Sequence, residues 1–379
     1  MILMNWKIPL YKIYTDNDDQ EIVSKVIKRG MSWAIGPEIE QFEMLLAKYL
    51  KRKFCVTFNS GTSALHASLL SLKIKTNDEV IVPSFTFIAT SNSVLMVNAK
   101  PKFLDIEKST LGLDPKLLES KINSKTKAVI PIHYAGLPCK IDEIKKISEK
   151  HKISLIEDAA ESFGAKIKNK KVGTFGDLSI LSFAGNKVLT TGEGGAVLTD
   201  SKSLFDKLKL IRSHGRKDIS NYFLSSDSPQ YVSLGYNWRM SSISAALGIS
   251  QLKKLDKLIL LRQEKANYYQ KKLKKINEIQ LPNVPSDFTH VYQLYSIILP
   301  NNHIRENLKS FLTKKGIMTK IFFIPVHETY FYKKILQQKF NLPITSTVSK
   351  QILSLPLYPS MTNEEMNYVC DSISQFFEK

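Results

Sequence analysis

Cysteine is scarce in this 379-residue sequence. Its three copies, Cys55, Cys139 and Cys370, stand far apart. That excludes a disulfide framework and a cysteine-rich zinc module, and the three read as small buried hydrophobes in a reducing compartment. Glycine (16) and proline (15) are too few for a collagenous or low-complexity chain. No apolar run approaches the ~18–20 residues that span a bilayer. The opening MILMNWKIPL has too short an apolar run, with no charged region before it, for a secretory signal. A soluble cytoplasmic protein with no membrane partner is therefore expected. The seven histidines show no metal spacing such as HExxH, and no metal is expected. Acidic residues are the minority charge, 35 against 54 lysines and arginines, for a net +19. The surplus is mostly lysine, dispersed in pairs, with no Arg-rich arm and no basic block interleaved with aromatics. It reads as a solvated surface, and no nucleic-acid partner is expected.

What is present is a pattern of alternation. Short apolar runs predict strands at Phe54–Phe58, Glu79–Val82, Pro101–Asp105, Ala128–Ile132, Ser154–Ile156, Leu178–Phe183 and Ala196–Leu198. Helical patterns lie between the earlier ones, at Ala64–Leu72, Thr86–Val97, Pro115–Ile122 and Ile141–His151. Such alternation predicts an α/β fold with a mainly parallel sheet covered on both faces. A long helical pattern, Met240–Leu273, leads into a smaller C-terminal α/β unit. That unit is expected to hold strands Val291–Leu299 and Ile317–Phe323, and helices Arg305–Lys315 and Asn363–Phe377. The expected division is a large domain over residues 1–250 and a small one over 251–379.

In a parallel sheet ligands gather beyond the carboxyl ends of the strands, so the residues after each run carry the chemistry. After the first comes Asn59-Ser60-Gly61-Thr62-Ser63, opening a helix. It reads equally well as a phosphate cup or as a simple helix cap. After Leu155-Ile156 come two acids, Glu157 and Asp158, then Glu161. Adjacent strand residues face opposite ways, so one acid enters the site while the other turns away. After Ser182-Phe183 comes Lys187 beside the glycine-rich TTGEGG. Taken singly, the acid pair reads as a cap and the lysine as one more surface lysine. Taken together, a phosphate cup, an acid at a strand end and a lysine 29 residues beyond Asp158 form the parts list of a pyridoxal phosphate site. That cofactor needs an amine for its aldehyde, an acid for its ring nitrogen, donors for its phosphate and an apolar wall.

With the blocks NSGTSALHASL, VIVPSFTFIATSNSV, IEDAAESFGA, VGTFGDLSILSFAGNK, TTGEGGAVLTD, LGYNWRMSSISAALGISQL and GIMTKIFFIPVHETYFY in this order, the sequence resembles the DegT/DnrJ/EryC1/StrS family of sugar aminotransferases. The resemblance implies the aspartate-aminotransferase-like fold (fold type I) and pyridoxal 5′-phosphate (PLP) as cofactor, with pyridoxamine 5′-phosphate (PMP) as its amino form. It implies that Lys187 joins the cofactor aldehyde, Asp158 faces the ring nitrogen and Phe87 stacks on the ring. Gly61, Thr62 and Ser182 hold the phosphate, and Glu161 stands near the ring hydroxyl. Asn237, in GYNWRM, is the residue that reaches the neighbouring subunit's phosphate, so a homodimer with shared active sites is implied. Trp33, His327 and Tyr330 are candidate walls of the sugar pocket, and a packing role suits His327 and Tyr330 equally well. The SFAGNK and GEGG blocks are similar to the perosamine-synthase branch of the family. They imply C4 transamination of GDP-4-keto-6-deoxymannose with glutamate as donor. The same enzyme class acting on a UDP- or dTDP-linked keto sugar, a cofactor-dependent sugar dehydratase, and a basic nucleic-acid-binding or scaffold protein without catalysis are the competing readings.

Overall fold

Strands whose residues are apolar on both faces can only sit between two layers of helices. The computed structural model, which describes residues 6–217, 226, 228–337 and 340–378, shows that arrangement. Seven strands form one sheet: β1 (Phe54–Phe58), β2 (Glu79–Pro83), β3 (Lys100–Leu104), β4 (Thr126–Val129), β5 (Ser154–Asp158), β6 (Leu178–Ser182) and β7 (Gly195–Thr199). Their order across the sheet is β1-β7-β6-β5-β4-β2-β3, and β7 alone runs antiparallel to its neighbours. The period of two sorts side chains between layers. Val80, Val82, Ala128, Ile130 and Ile156 enter one core, while Ile81, Val129 and Leu155 enter the core on the opposite face.

The first core is closed by α3 (Gly61–Ser71) and α4 (Ile88–Met96). The second is closed by α5 (Pro115–Lys121) and α6 (Ile141–His151). A third core covers the other face of β1, β6 and β7 under α2 (Pro37–Leu50), which follows α1 (Asn17–Lys28). Helix α7 (Lys202–Arg212) packs beside α3. Helix α8 (Ser242–Leu273) is 32 residues long, about 48 Å at the usual rise. Its Ala245, Ile249, Leu255 and Ile259 belong to the third core, and its Ala266, Tyr269 and Leu273 to a separate C-terminal core.

The division expected after residue 250 lies inside α8, whose side chains belong to the third core as far as Ile259 and to the C-terminal core from Ala266. The N-terminal segment crosses over: Ile8 bridges Ile317 and is buried in the C-terminal core. One sequence expectation needs correction: Ile317–Phe323 forms no strand and makes only isolated bridges at Ile317 and Lys320. The C-terminal sheet instead pairs β8 (Tyr295–Ile298) with β9 (Ile352–Leu355), antiparallel. All four residues of β9 are buried, so its sequence carries no alternation. Helices α9 (Asn302–Lys314), α10 (Tyr330–Leu336), α11 (Pro343–Gln351) and α12 (Asn363–Phe377) complete the C-terminal part. Among the described residues no helix is long and apolar enough to cross a membrane.

Candidate active site

The ends of three neighbouring strands lie level. Ser182 of β6 pairs with Gly195 of β7, which pairs with Phe58 of β1, while Asp158 of β5 pairs with Ile180. A Cβ on Gly195 would stand 2.5 Å from the Ser60 carbonyl and 2.7 Å from the Gly61 nitrogen. Only glycine lets β7 pass so close beneath the start of α3. That start is built by Ser60, whose Oγ accepts from the Ser63 N–H at 3.1 Å. Gly61 and Thr62 follow as the first helical residues. Their N–H groups have no partner within the helix and, with the helix dipole, favour an anion. Ser182 lies against Gly61, where a Cβ would come within 3.0 Å of its own.

Beside this turn lies a cavity of about 410 Å³, within the range of small-molecule sites. Gly61, Thr62, Phe87, Asp158, Glu161, Ser182 and Lys187 all line it. Asp158 is the last residue of β5 and only 7% exposed. Its Oδ2 accepts from Thr90 Oγ1 at 2.9 Å and its Oδ1 from the Ala160 N–H at 3.2 Å. Burial pushes its carboxyl above the ordinary carboxylate value, against those hydrogen bonds and the charge of Lys187. Lys187 Nζ stands 3.5 Å from Glu161 Oε1, and Glu161 Oε2 accepts from the Ala135 N–H at 2.9 Å. Phe87 caps α4 and keeps 59% of its surface free at the cavity wall.

The neighbouring acid turns the other way. Glu157 is fully buried and takes the N–H groups of Gly173, Phe175 and Gly176, ordering the turn before β6. His133 Nδ1 accepts from the Cys139 N–H, which leaves Nε2–H to donate to Glu157 at 3.3 Å. Burial works to raise the Glu157 carboxyl, but the bonds from His133 and the turn outweigh it and hold it below its ordinary value. So of two adjacent acids one is spent on the fold and one is left for chemistry.

The remaining sequence candidates lie outside the cavity lining. Asn237 is exposed, its backbone bridging Ser213. Trp33 Nε1 donates to the Val26 carbonyl at 3.0 Å. His327 Nδ1 lies 2.6 Å from Ser84 Oγ, with its ring against Phe103 and Phe340. Tyr330 is 78% exposed. Conversely, Thr86, Thr90, His133, Glu193, Lys320 and Phe322 line the cavity and were not singled out from sequence. Thr86 and Thr90 carried a local signal, a four-residue spacing just after a strand. Lys320 carried none, because it comes from the C-terminal part. A second cavity of about 290 Å³ adjoins the first through Asn186, Glu193, Lys320 and Phe322.

The residues present fit pyridoxal phosphate. A buried carboxylate short of a cationic partner, a lysine amine, an anion cup at a helix start and an unpacked aromatic face converge on one cavity, matching the needs of an aldehyde, a pyridinium, a phosphate and a ring.

Comparison with known proteins agrees. Residues 14–374 match the DegT/DnrJ/EryC1/StrS aminotransferase family. The chain is 35% identical over 370 residues to GDP-perosamine synthase of Escherichia coli O157:H7, covering 98% of each. It is 35% identical over 371 residues to the UDP-4-amino-4,6-dideoxy-N-acetyl-beta-L-altrosamine transaminase of Campylobacter jejuni serotype O:2, covering 96% of each. The solved structure of NtdA from Bacillus subtilis with its cofactor PMP bound superposes with a TM-score of 0.86 at 28% identity, covering 96% of this chain and 83% of that one. The chain therefore belongs to the DegT/DnrJ/EryC1/StrS aminotransferase family, whose members work with pyridoxal phosphate.

Proposed function

We propose that the protein moves an amino group from glutamate to C4 of a nucleotide-linked 4-keto-6-deoxy sugar. The substrate we favour is GDP-4-keto-6-deoxymannose, giving GDP-perosamine. The observation that carries the reaction class is the convergence of Lys187 and Asp158, from the ends of adjacent parallel strands, on one cavity. When bound, pyridoxal phosphate supplies an aldehyde and a ring that, protonated at nitrogen, draws electrons from the carbon being deprotonated.

The chain's own groups do the rest. Asp158, ionised, would take the cofactor's ring nitrogen and hold its proton. Gly61, Thr62 and Ser182 take the phosphate. Phe87 offers an apolar face to the ring. Lys187 Nζ would take the proton from the donor's α-carbon and, in the second half of the exchange, deliver one to C4 of the sugar, a positioned transfer worth ~10²–10⁴-fold. Glu161, 3.5 Å from that amine, keeps it at the cavity wall. The adjoining cavity gives room for the nucleotide, and Lys320 places a positive charge where the two cavities meet. Asn237, exposed and outside its own chain's cavity, suits the reading that it serves the partner's phosphate in a cytoplasmic homodimer.

The likeness to the Escherichia coli synthase supports the GDP sugar. An equal identity to the Campylobacter transaminase supports a second reading, a UDP-linked keto sugar. A lysine, rather than a histidine, at position 187 speaks against a dehydratase. The test gives the purified protein glutamate and, in parallel, GDP- and UDP-linked 4-keto-6-deoxy sugars, with products read by mass spectrometry. Amine gain on the GDP sugar is expected. Amine gain on the UDP sugar alone replaces the substrate, and loss of oxygen without amine gain overturns the reaction class.

A further inference from the structure

Two buried threonines adjoin Asp158 on the cavity lining. Thr90 Oγ1 donates to Asp158 Oδ2 at 2.9 Å, and Thr86 Oγ1 stands 2.9 Å from Thr90 Oγ1. Thr86 is 2% exposed and Thr90 1%. Valine has the same shape, and a hydroxyl at a buried site is costly unless it is bonded. Among the described residues both hydroxyls are bonded only to each other and to this carboxylate.

The proton count gives the chain a direction. A hydroxyl carries one proton, and an ionised carboxylate only accepts. While Asp158 is ionised, Thr90 gives its proton to Asp158 and Thr86 gives its own to Thr90. Protonation at Oδ2 would reverse the order and turn the Thr86 proton outward. Among the described residues Thr86 Oγ1 has no second side-chain or backbone partner to receive it. With Asp158 charged the pair is satisfied within the protein, whereas with Oδ2 protonated the Thr86 proton is left to whatever fills the cavity that Thr86 lines.

We propose that Thr86 and Thr90 are positioning residues that hold Asp158 as an oriented carboxylate toward the cofactor's ring nitrogen. This rests on the reading of Asp158 given above. The other charged groups near Asp158 are Lys187 and Glu161 at the cavity, and His133, also on the cavity lining, whose Nε2 bonds Glu157. None of these four donates a side-chain hydrogen bond to the Asp158 carboxylate, and among the described residues Thr90 is the one side chain that does. Both threonines come from a single stretch, and Phe87 stands between them on the cavity wall. Ser84, at the head of the same stretch, accepts from the His327 N–H at 3.1 Å. One segment thus supplies the ring wall, orients the acid and ties both to the C-terminal part.

The test uses the full-length protein stripped of cofactor and reloaded with PLP labelled with ¹⁵N in the ring. Two readouts are taken: the PLP dissociation constant and the ring-nitrogen chemical shift, which separates protonated from unprotonated pyridine. Thr90→Val is expected to weaken PLP binding about tenfold or more, as loss of a bond to a charged acceptor implies, and to move the shift toward the unprotonated form. Thr90→Ser is expected to restore both. Thr86→Val is expected to move both in the same direction by less. Wild-type shift and affinity in Thr90→Val overturn the relay. If Thr90→Val does not fold, Thr86→Val decides in its place, and an unchanged shift there overturns the proposal. A wild-type protein that takes up no PLP overturns instead the cofactor reading on which the relay stands.

Discussion

Lys187 illustrates how little a residue says alone. In a chain with 54 basic residues a lysine after a strand is unremarked. It gains meaning from the cavity it lines and from the carboxylate 3.5 Å away. Lys187→Arg keeps the charge but has no nucleophilic amine to offer an aldehyde, since guanidinium does not deprotonate in proteins. The variant is expected to lose at least ~10²–10⁴-fold in turnover, and borohydride is expected to fix no label on it. Near wild-type turnover in an assay of amine transfer would remove Lys187 from the reaction. Glu157 and Asp158 make the same point in reverse. They are chemically alike and adjacent, yet one is enclosed by three backbone N–H groups and a histidine and the other faces the cavity.

At the scale of elements, that enclosure is what seats β6. Glu157 at the end of β5 gathers the turn at 173–176, and β6 starts two residues later. Its folded value lies below the ordinary 4.5. A depressed carboxylate contributes stability that is fully present above 4.5 and drains away as pH falls through the folded value. Glu157→Gln keeps one acceptor but sets an amide N–H₂ against backbone donors. It is expected to cost about 2–3 kcal/mol at neutral pH, with the gap to wild type closing on the acid side of 4.5. Thermal unfolding of both proteins across that range measures it, and a gap independent of pH would refute the pinning role. The elements themselves were largely legible. Phe54–Phe58, Ile141–His151 and Asn363–Phe377 have the bounds expected from their patterns, because each is a run of one period between clear stops. Ile317–Phe323 misled for a physical reason. It is apolar because it lines the cavity and the interface with the N-terminal segment, not because it sits in a sheet.

Across the whole molecule the site depends on how the C-terminal part is seated. Gln293 Nε2 donates to the Asn186 carbonyl at 2.6 Å, next to Lys187. Asp105, just after β3, takes the N–H groups of Ile344 and Thr345 and the Thr345 hydroxyl, capping α11 from across the interface. Asp105→Ala strands those donors, the two of Thr345 buried, and is expected to lower unfolding free energy in urea by about 2–3 kcal/mol. A change below half that would mean that α11 is held by packing alone.

The amino-acid sequence by itself determined the kind and order of the strands in the large sheet and the residue types that follow them. Those depend on local period and residue type, which any short window contains. Local pattern left open which of the two adjacent acids faces the cavity, and only the tertiary structure decided which threonines support it and that Lys320 joins the wall from far along the chain. Helices covering both faces of the sheet choose the direction of each side chain, and the seating of the C-terminal part closes the cavity. Neither is written in any local pattern, because both arise from burial summed over segments distant in the chain.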